Sequence, residues 1–395
     1  MALFFNREAK LVIVEGTTHG WEIPILADFS FSQATNAAEI TLNEAALDSA
    51  GYSRRGRKMF NDSYAPAEWS FSTYIRPFKS SGSGTGKADD TANNHHAVEE
   101  VLWAMMAGTS TYNSTNFDFP GFTIDTTDSD IVFDNSNNVE IGKKDFYFVL
   151  GPASGVTPST SNTIVYKIAD CVVNEATIDF DIDGIATINW SGMGSLITEQ
   201  TGVAVGSIIT NAGALAATVT EGISSSTNFI RNRLSNLAIT ASDIDGTGGN
   251  VAYALTLTGG SITINNNITF LTPETLGTVN QPIGHVTGTR SVSGNFTCYL
   301  DNAAAAATGS ADLFKDLATA TGVITNVVPL QFNIGGASGT PRLELNMDQC
   351  HLEIPTHNIE DVISLETNFH ALPSDIGATS GSTPADELTL KYVGA

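Results

Sequence analysis

The sequence feature that most constrains the fold is a series of short segments that occurs twice, in the same order, along the 395 residues. WSFSTYI at 69–75 matches GNFTCYL at 294–300, and FNREAKLVI at 5–13 matches RNRLSNLAI at 231–239. The other matches are 28–33 with 267–272, which sets Phe31 on Phe270, 42–45 with 279–282, 146–151 with 330–335, 166–171 with 345–350, and 181–188 with 358–365. An internal repeat of this length indicates two copies of one structural unit.

Each copy has a pattern of strands, one helix and more strands. Apolar residues alternate with polar ones, as at Val292, Phe296 and Cys298, which is typical of half-buried antiparallel strands. Helices are predicted at 96–108 and 310–322, each ending at a glycine, with Ser310 as a candidate N-cap. The sequence therefore predicts a mainly β protein made of two tandem β-sandwich or barrel domains, each with one flanking α-helix.

The repeat also predicts how the chain is divided. Stretches rich in Gly, Ser, Thr and Asn interrupt the repeat, and such compositions favour loops and linkers over packed elements. The predicted parts are a first domain at 1–200 with inserts at about 80–96 and 109–143, a linker or peripheral loop at 201–228, a second domain at 229–373, and a flexible, polar C-terminal arm at 374–395.

Charge and cysteine content exclude several functional classes. The chain has 42 acidic and 18 basic side chains, a net charge of -24, whereas a protein that grips nucleic acid needs a basic surface. This argues against a DNA-binding enzyme but allows a protein that DNA passes without sticking. The three cysteines form no CxxC pair, which favours a reducing compartment over a disulfide framework. We expect neither a signal peptide nor a membrane span.

The segment DFDIDG at 179–184 resembles the first half of a calcium loop. The twelfth position of such a loop should be a bidentate Glu, but here it is Trp190. The alternation of the flanking residues instead predicts a strand with an acidic face. We call the three residues of that face, Asp179, Asp181 and Asp183, the acidic triplet.

Other motifs that suggest chemistry are incomplete. GSGTGK at 82–87 lacks the first glycine and the final Ser or Thr of a phosphate-binding loop, so a solvated loop is expected. His95 and His96 are adjacent, have no third ligand at a metal-site spacing, and are expected at the surface. No nucleophile elbow or HExxH motif is present. The sequence therefore predicts no catalytic, metal-binding or cofactor-binding residues.

A basic segment, SRRGRKMF at 53–60, concentrates four of the 18 basic side chains in one short stretch, and the second copy has no counterpart. These four residues are Arg54, Arg55, Arg57 and Lys58. Two interpretations remain open. The segment is either a solvated loop or a loop that contacts an acidic surface on another subunit.

The chain resembles the tail tube proteins of long-tailed bacteriophages, whose fold also serves in type VI secretion tubes. The segments that carry the resemblance are 27–45, the basic segment, 65–78, 173–192 and 351–373. The resemblance implies a structural virion protein of the phage tail, assembled in the host cytoplasm, and not an enzyme. Family members form rings of six units that stack into a tube. A duplicated chain therefore implies a homotrimer that makes a pseudo-hexameric ring.

The resemblance also implies roles for particular residues. The basic segment lies where the family has an inter-ring contact loop. The acidic triplet, with Asn358 and Glu360 as its counterparts in the second copy, is a candidate lumen wall that genome DNA passes during ejection. The alternative is that these residues face the tube exterior.

The partners implied by the resemblance are further copies of the chain, the tape-measure protein and DNA held without tight binding in the lumen, and tail terminator and tail-tip proteins, with no membrane. Three other functions remain open. They are a tail-tip or baseplate ring protein of the same fold, a capsid-decoration or adhesin β-protein, and a hydrolase with a cryptic site.

Overall fold

The computed structural model describes most of the chain. The described residues are 4–16, 19–40, 49–50, 58–82, 90–108, 111–113, 118–133, 141–152, 162–200, 229–242, 250–274, 276, 279–302, 309–319, 328–336, 340–377 and 385–394. We call residues 4–200 the first half of the protein and 229–394 the second half. The predicted linker at 201–228 lies outside the described residues.

Strands dominate the described residues, so the prediction of a mainly β protein is confirmed. In chain order the elements are β1 (Phe4–Glu15), β2 (His19–Ile23), β3 (Ser30–Ile40), β4 (Lys58–Tyr74), β5 (Pro77–Lys79), β6 (His95–Ala97), α1 (Glu100–Ala107), β7 (Phe122–Ile124), β8 (Ser129–Val132), β9 (Lys144–Pro152), β10 (Ile164–Asp181), β11 (Thr187–Gly194), β12 (Ile197–Glu199), β13 (Asn236–Ser242), β14 (Asn250–Ala254), β15 (Leu257–Asn265), β16 (Thr269–Leu271), β17 (Gly284–Val286), β18 (Ser291–Tyr299), α2 (Ser310–Thr319), β19 (Val328–Ile334), β20 (Arg342–Leu352), β21 (Thr356–Asn358), β22 (Ser364–Ala371) and β23 (Thr389–Val393).

One antiparallel sheet, which we call the long sheet, runs through both halves. Its strand order is β3–β4–β11–β10 in the first half and β15–β18–β22–β21 in the second. The halves meet where β10 pairs with β15, from Glu175 opposite Asn265 to Asp181 opposite Gly259. The pairings of the described strands leave β3 and β21 as open edges, so the sheets do not close into a barrel.

A second sheet in each half covers the long sheet. In the first half its order is β2–β1–β9–β10–β12, and in the second half it is β14–β13–β19–β20–β23. β10 belongs to both sheets, since it pairs with β9 as far as Cys171 and with β11 from Val172 onward. A register shift between Ile168 and Cys171, where Asp170 has a φ of 52°, lies at the change from one sheet to the other. Each half is therefore a two-layered β structure with the same strand order.

The residue register of the two halves also agrees with the repeated segments. Leu11 lies opposite Phe148 on β9, and its match Leu237 lies opposite Phe332 on β19. Cys171 and Cys350 each follow a register shift, and each thiol donates to the carbonyl three residues earlier, at Ile168 and Met347. This agreement is consistent with the predicted duplication.

One of the repeat matches is wrong. Phe31 lies opposite Trp69 on β4, and the match of Trp69 is Gly294, which lies opposite Ile262. The counterpart of Phe31 is therefore Ile262 on β15 and not Phe270. The error arose because β16, which contains Phe270, forms a separate hairpin with β17 and has the same alternation as β3.

Helix α1 lies in the core, and all eight of its residues are buried. It ends as predicted at Gly108, whose φ of 89° is in the left-handed region that favours glycine. It begins only at Glu100 because His95–Ala97 pair with β5. Helix α2 begins at Ser310, but this residue is not an N-cap, since its hydroxyl donates to the carbonyl of Tyr299, 2.8 Å away.

Two segments predicted as loops pack as strands instead. The insert at 109–143 supplies β7 and β8, and β8 pairs with β23, which lies in the predicted C-terminal arm. Leu390 and Tyr392 of β23 are fully buried, so this part of the arm is not a flexible tail. The reason is that β23 pairs with β20 of the second half and with β8 of the first, and its alternating Leu390 and Tyr392 lie in the core.

Candidate assembly surface

The long sheet has one apolar and one polar face. Phe71, Ile178, Trp190 and Phe296 lie on the buried face, against the second sheets and α1. The opposite face carries Ser, Thr, Asn and acidic side chains, because residues alternate between the two faces of a strand. Residues 59–74, 172–194, 257–265, 291–299 and 364–371, which form most of this sheet, include no Lys or Arg.

Side-chain hydrogen bonds cross this polar face from strand to strand. The Ser72 hydroxyl donates to Asn189 Oδ1 over 2.6 Å, and Asn189 Nδ2 donates to Asp179 Oδ2 over 3.1 Å. Across the boundary between the halves, the Ser261 hydroxyl donates to the other Asp179 oxygen over 2.7 Å. Asn295 then accepts from the Ser261 N–H over 3.1 Å. We call this row, which spans five strands from β4 to β18, the polar belt.

The structure places the acidic triplet at the boundary between the halves. Asp179 belongs to the polar belt, and Asp181 is exposed at the end of β10. Asp183 lies exposed in the following turn, where its N–H donates to Asp181 Oδ1 over 3.1 Å. Glu360 is also exposed, in the turn between β21 and β22. All four carboxyl groups are therefore open to solvent in the single chain.

Three further carboxylates that were not predicted from the sequence lie on this face, Glu68, Glu175 and Glu366. Glu175 accepts from Asn265 Nδ2 over 2.8 Å, which adds a second bond across the boundary between the halves. Glu68 and Glu366 are exposed on β4 and β22. The signal that could have found them is the alternation within EWSFST at 68–73, NEATID at 174–179 and SLETNF at 364–369, which places them on the face opposite the core residues.

Most of the basic segment lies outside the described residues, which include only Lys58 of its four basic side chains. Lys58 is exposed at the start of β4 and lies opposite Ile40. Met59 and Phe60, which follow it, are large apolar residues that are also exposed. This end of the β3–β4 hairpin therefore presents apolar surface next to a positive charge.

Apolar packing and backbone hydrogen bonds stabilise the junction between the halves. Phe180 packs against Phe332 with ring centroids 5.6 Å apart, and Gly260 leaves room for it, since a Cβ there would lie 2.7 Å from the Phe180 ring. The N–H of Ala186 donates to the carbonyl of Ile230 over 2.9 Å. Ile230, at the start of the second half, is fully buried by this contact.

A buried polar cluster ties the C-terminal strand to α1. The hydroxyl of Tyr392 accepts from Trp103 Nε1–H over 2.6 Å and donates to Glu99 Oε1, also over 2.6 Å. The N–H of Arg76 donates to the same Glu99 oxygen over 3.3 Å. Burial raises the pKa of Glu99 to about 7, although the bond from Tyr392 acts against this rise. Glu99, Trp103 and Tyr392 are fully buried, so a substrate in solution has no access to this carboxyl group.

The histidine pair is buried and not at the surface as expected. His96 lies between Asp90 Oδ2, 3.1 Å away, and Glu100 Oε2, 3.2 Å away. Burial alone would raise the pKa of Asp90, but hydrogen bonds from His96 and Asn94 hold it below its ordinary value. Burial lowers the pKa of His95. The expectation failed because β6 pairs with β5, and other parts of the chain cover each ring: His95 lies beside the Asp125 carbonyl and His96 stacks on Phe78.

Other kinds of site are not seen in the described part of the chain. Those residues contain no group of three or more His, Cys, Asp or Glu that could hold a metal ion. None of the described helices is long and apolar enough to cross a membrane.

Comparison with known proteins shows what this architecture belongs to. A family described as phage tail tube protein matches residues 25–371. The chain belongs to the phage tail tube protein family. It is also 30% identical over 372 residues to the tail tube protein pb6 of Escherichia phage T5, an alignment that covers 91% of this chain and 70% of that protein. The predicted resemblance is confirmed, and the tail tube protein described here is a structural component of the virion.

Proposed function

We propose that three copies of this tail tube protein associate head to tail into a ring of six similar units, and that stacked rings form the conduit for genome DNA during ejection. The observation that carries this proposal is the junction between the halves. There β10, the last strand of the first half in the long sheet, pairs with β15, the first strand of the second half. In the long sheet, β21 has the position in the second half that β10 has in the first, and β3 has the position in the first half that β15 has in the second. Both β21 and β3 are open edges.

Open edges of this kind favour pairing with another chain. If β21 of one chain pairs with β3 of the next as β10 pairs with β15, every contact is head to tail, and such contacts close into a ring when the rotation allows. Three chains supply three such contacts, and the junctions within the chains supply three more. Duplication therefore makes half of the contacts intramolecular, which lowers the entropy lost on assembly.

The size of the resulting barrel suits a DNA conduit. Eight strands per chain at a spacing of about 4.8 Å give three chains a circumference of at least about 115 Å and a diameter of at least about 37 Å, since strand tilt widens a barrel. Side chains on the inner face extend about 5 Å from each wall, since two facing sheets pack about 10 Å apart. The opening of at least about 27 Å admits a DNA duplex, which is roughly 20 Å across.

The polar face of the long sheet is the face we assign to the lumen. Its strands carry the polar belt, the acidic triplet and the carboxylates of Glu68, Glu175 and Glu366, and they lack basic residues over the ranges given above. Phosphates bind to Lys and Arg, so a wall without them holds DNA weakly. Repulsion from the carboxylates fades over about 8 Å at physiological salt, which keeps the wall from obstructing passage.

The remaining partners follow from the same arrangement. The basic segment is the inter-ring contact loop, and the exposed Met59 and Phe60 beside Lys58 add apolar surface to that contact. The tape-measure protein and DNA occupy the lumen without tight binding, and tail terminator and tail-tip proteins end the tube. The protein works as a conduit and not as an enzyme, and it needs no cofactor.

The mass per layer tests the proposal. Purified protein at rising concentration should form rings or tubes, and electron microscopy with mass measurement should find three chains per layer. Layers of six chains would overturn the head-to-tail arrangement of halves. Single rings that never stack would instead favour a tail-tip or baseplate ring of the same fold.

A further inference from the structure

The two ends of the chain carry exposed apolar residues whose counterparts at the junction between the halves are buried. At the far end of the second half, Leu300 is 37% exposed and Ile363 is 38% exposed. Their counterparts by the repeat, Ile75 and Ala186, are both 0% exposed. Both places have the same backbone hydrogen bond. Leu300 N–H donates to the Ile363 carbonyl, and Ile75 N–H donates to the Ala186 carbonyl, each over 3.0 Å.

At the junction, the region of Ile75 and Ala186 is covered by the start of the second half, residues 230–232. Ala186 N–H donates to the Ile230 carbonyl, Ile185 lies in an antiparallel bridge opposite Arg231, and Asn232 N–H donates to the Gly184 carbonyl over 3.3 Å. Ile230 and Asn232 are buried there. The two halves are thus joined at the junction by this short segment as well as by the pairing of β10 with β15.

The counterpart of that covering segment is the start of β1. The match of 231–239 with 5–13 sets Phe4 on Ile230, Phe5 on Arg231 and Asn6 on Asn232. Phe4 is 37% exposed and Phe5 is 44% exposed, whereas Ile230 is 0% exposed. Asn6 Nδ2 donates to the carbonyl of Ala27, just before β3, so this segment lies beside the open edge of the long sheet. One chain therefore has both an exposed apolar patch and an exposed counterpart of the segment that covers such a patch at the junction, although Phe4 also lies opposite Pro152 of β9.

We propose that Phe4–Asn6 of one chain docks on the patch formed by Leu300, Val362 and Ile363 of the next chain. By the repeat, Phe4 takes the place of Ile230 and lies against Ile363, while Phe5 lies opposite Val362 as Arg231 lies opposite Ile185. This docking rests on the proposed ring, since it places the partner at the same edge as the pairing of β21 with β3. It adds to that ring an apolar contact in which both partners are exposed in the single chain.

The occupant is a second copy of this chain for two reasons. The patch matches an intramolecular contact that the same fold already makes, down to the backbone donor and acceptor positions. The chemistry also agrees, because two phenylalanine side chains meet Leu, Val and Ile, and a continuous apolar contact of this kind is typical of the centre of a permanent interface.

Cross-linking tests the geometry directly. Residues opposite each other in an antiparallel bridge have Cα atoms about 4.5–5.5 Å apart, which a disulfide can span. A protein with Phe5→Cys and Val362→Cys should therefore give a covalent trimer, with dimer as intermediate, on mild oxidation of assembled rings. The three native cysteines are buried and give little background. The matched control combines Val362→Cys with Ile376→Cys, an exposed residue beyond the opposite end of β22, and should stay monomeric on a non-reducing gel.

The results separate this docking from the ring itself. Rings of three chains without the Phe5–Val362 cross-link would overturn the docking and leave the proposed function standing. Wild-type protein that never forms rings would overturn both.

A charge pair gives an independent measurement that does not depend on oxidation. Phe4→Asp or Ile363→Lys alone should raise the concentration needed for half-assembly about tenfold or more, because the counterparts of both positions, Ile230 and Ala186, are buried at the junction and each variant would bury an unpaired charge. The double variant should return to within about threefold of wild type if the two residues are neighbours. Both positions are exposed in the single chain, so its thermal stability should not change. Single variants without effect, or losses that add in the double variant, would overturn the docking.

Discussion

Replacing Glu99 with glutamine tests whether the carboxyl group in the buried polar cluster is neutral in the folded protein. The side chain is fully buried, and burial raises its pKa from 4.5 to about 7. Glu99→Gln keeps the shape of the side chain and the oxygen that accepts from Tyr392, but it removes the ionisable group. The difference between the variant and wild type therefore measures the free energy needed to ionise Glu99 in the folded protein.

The size and sign of the effect follow from proton linkage. Between pH 4.5 and about 7 the folded protein holds a proton on Glu99 that the unfolded chain has lost, so the free energy of unfolding falls as pH rises. The stabilisation is fully present below the unfolded pKa of 4.5 and is lost as pH rises through about 7. A shift of this size corresponds to about 3 kcal/mol. Relative to wild type, Glu99→Gln should therefore gain about 3 kcal/mol between pH 4.5 and pH 8.

Urea unfolding followed by tryptophan fluorescence measures this difference at each pH. The protein should be dilute enough to remain a single chain, since association adds to apparent stability. The matched control is Glu274→Gln, which makes the same replacement at a carboxyl that is exposed to solvent. A constant difference for Glu99→Gln, or a gain for wild type at high pH, would refute the reasoning and show that the carboxylate is stably ionised beside Arg76.

Three further predictions concern the cluster, the lumen and the stacking contact. Tyr392→Phe leaves Trp103 N–H and Glu99 without their shared partner, so the free energy of unfolding by urea should fall by about 2–4 kcal/mol, and a loss below about 1 kcal/mol would mean that the cluster relaxes around the gap. Replacing the acidic triplet with lysine should leave rings intact and slow DNA ejection, and normal ejection kinetics would remove these residues from the wall. Replacing the three arginines of the basic segment with glutamate should shorten tubes more than it impairs rings, and an unchanged tube length in electron micrographs would reject the contact role.

Local patterns predicted the parts of the fold that depend on alternation within one strand. The match of Leu11 with Leu237 and of Cys171 with Cys350 located positions that share strand register and even the same thiol hydrogen bond. The reason is that a two-residue period fixes which face a side chain occupies, and a one-residue slip would expose the whole apolar face. Helix α1 was found for a similar reason, since a glycine in the left-handed region ends it.

Contacts between distant segments could not be predicted in this way. His95 and His96 are buried because β6 pairs with β5, and Phe270 was misassigned because β16 pairs with β17. The C-terminal strand β23 finds its partners more than 40 residues away on β20 and about 260 residues away on β8. Alternation shows that such a segment can be a strand, but it carries no information about which edge is free to accept it.

The candidate site divides in the same way. The alternation that predicted the acidic triplet holds for Asp179 and Asp181 on β10, but Asp183 lies in the turn that follows the strand, where Ile182 is also exposed. The polar belt was not found, because Ser72, Asn189 and Ser261 come from three strands that meet only in the folded sheet. The apolar patch at Leu300 and Ile363 is visible only when its exposure is compared with that of the buried counterparts in the first half.

The contacts that join the two halves also explain why the junctions of the proposed ring would not be equal. Besides the β10–β15 pairing, β8 of the first half pairs with β23, and Tyr392 of β23 bonds to Glu99 and Trp103 of the first half. These contacts hold the two halves together on both the sheet edge and the core side, so the angle between them is set before chains meet. A preset angle lowers the entropy lost on closing a ring. The contacts from β8 and β23 have no counterpart at the open edges, because each chain has only one copy of the insert and one C-terminal strand. Dilution or denaturant should therefore open the proposed ring between chains while each pair of halves remains folded as a unit.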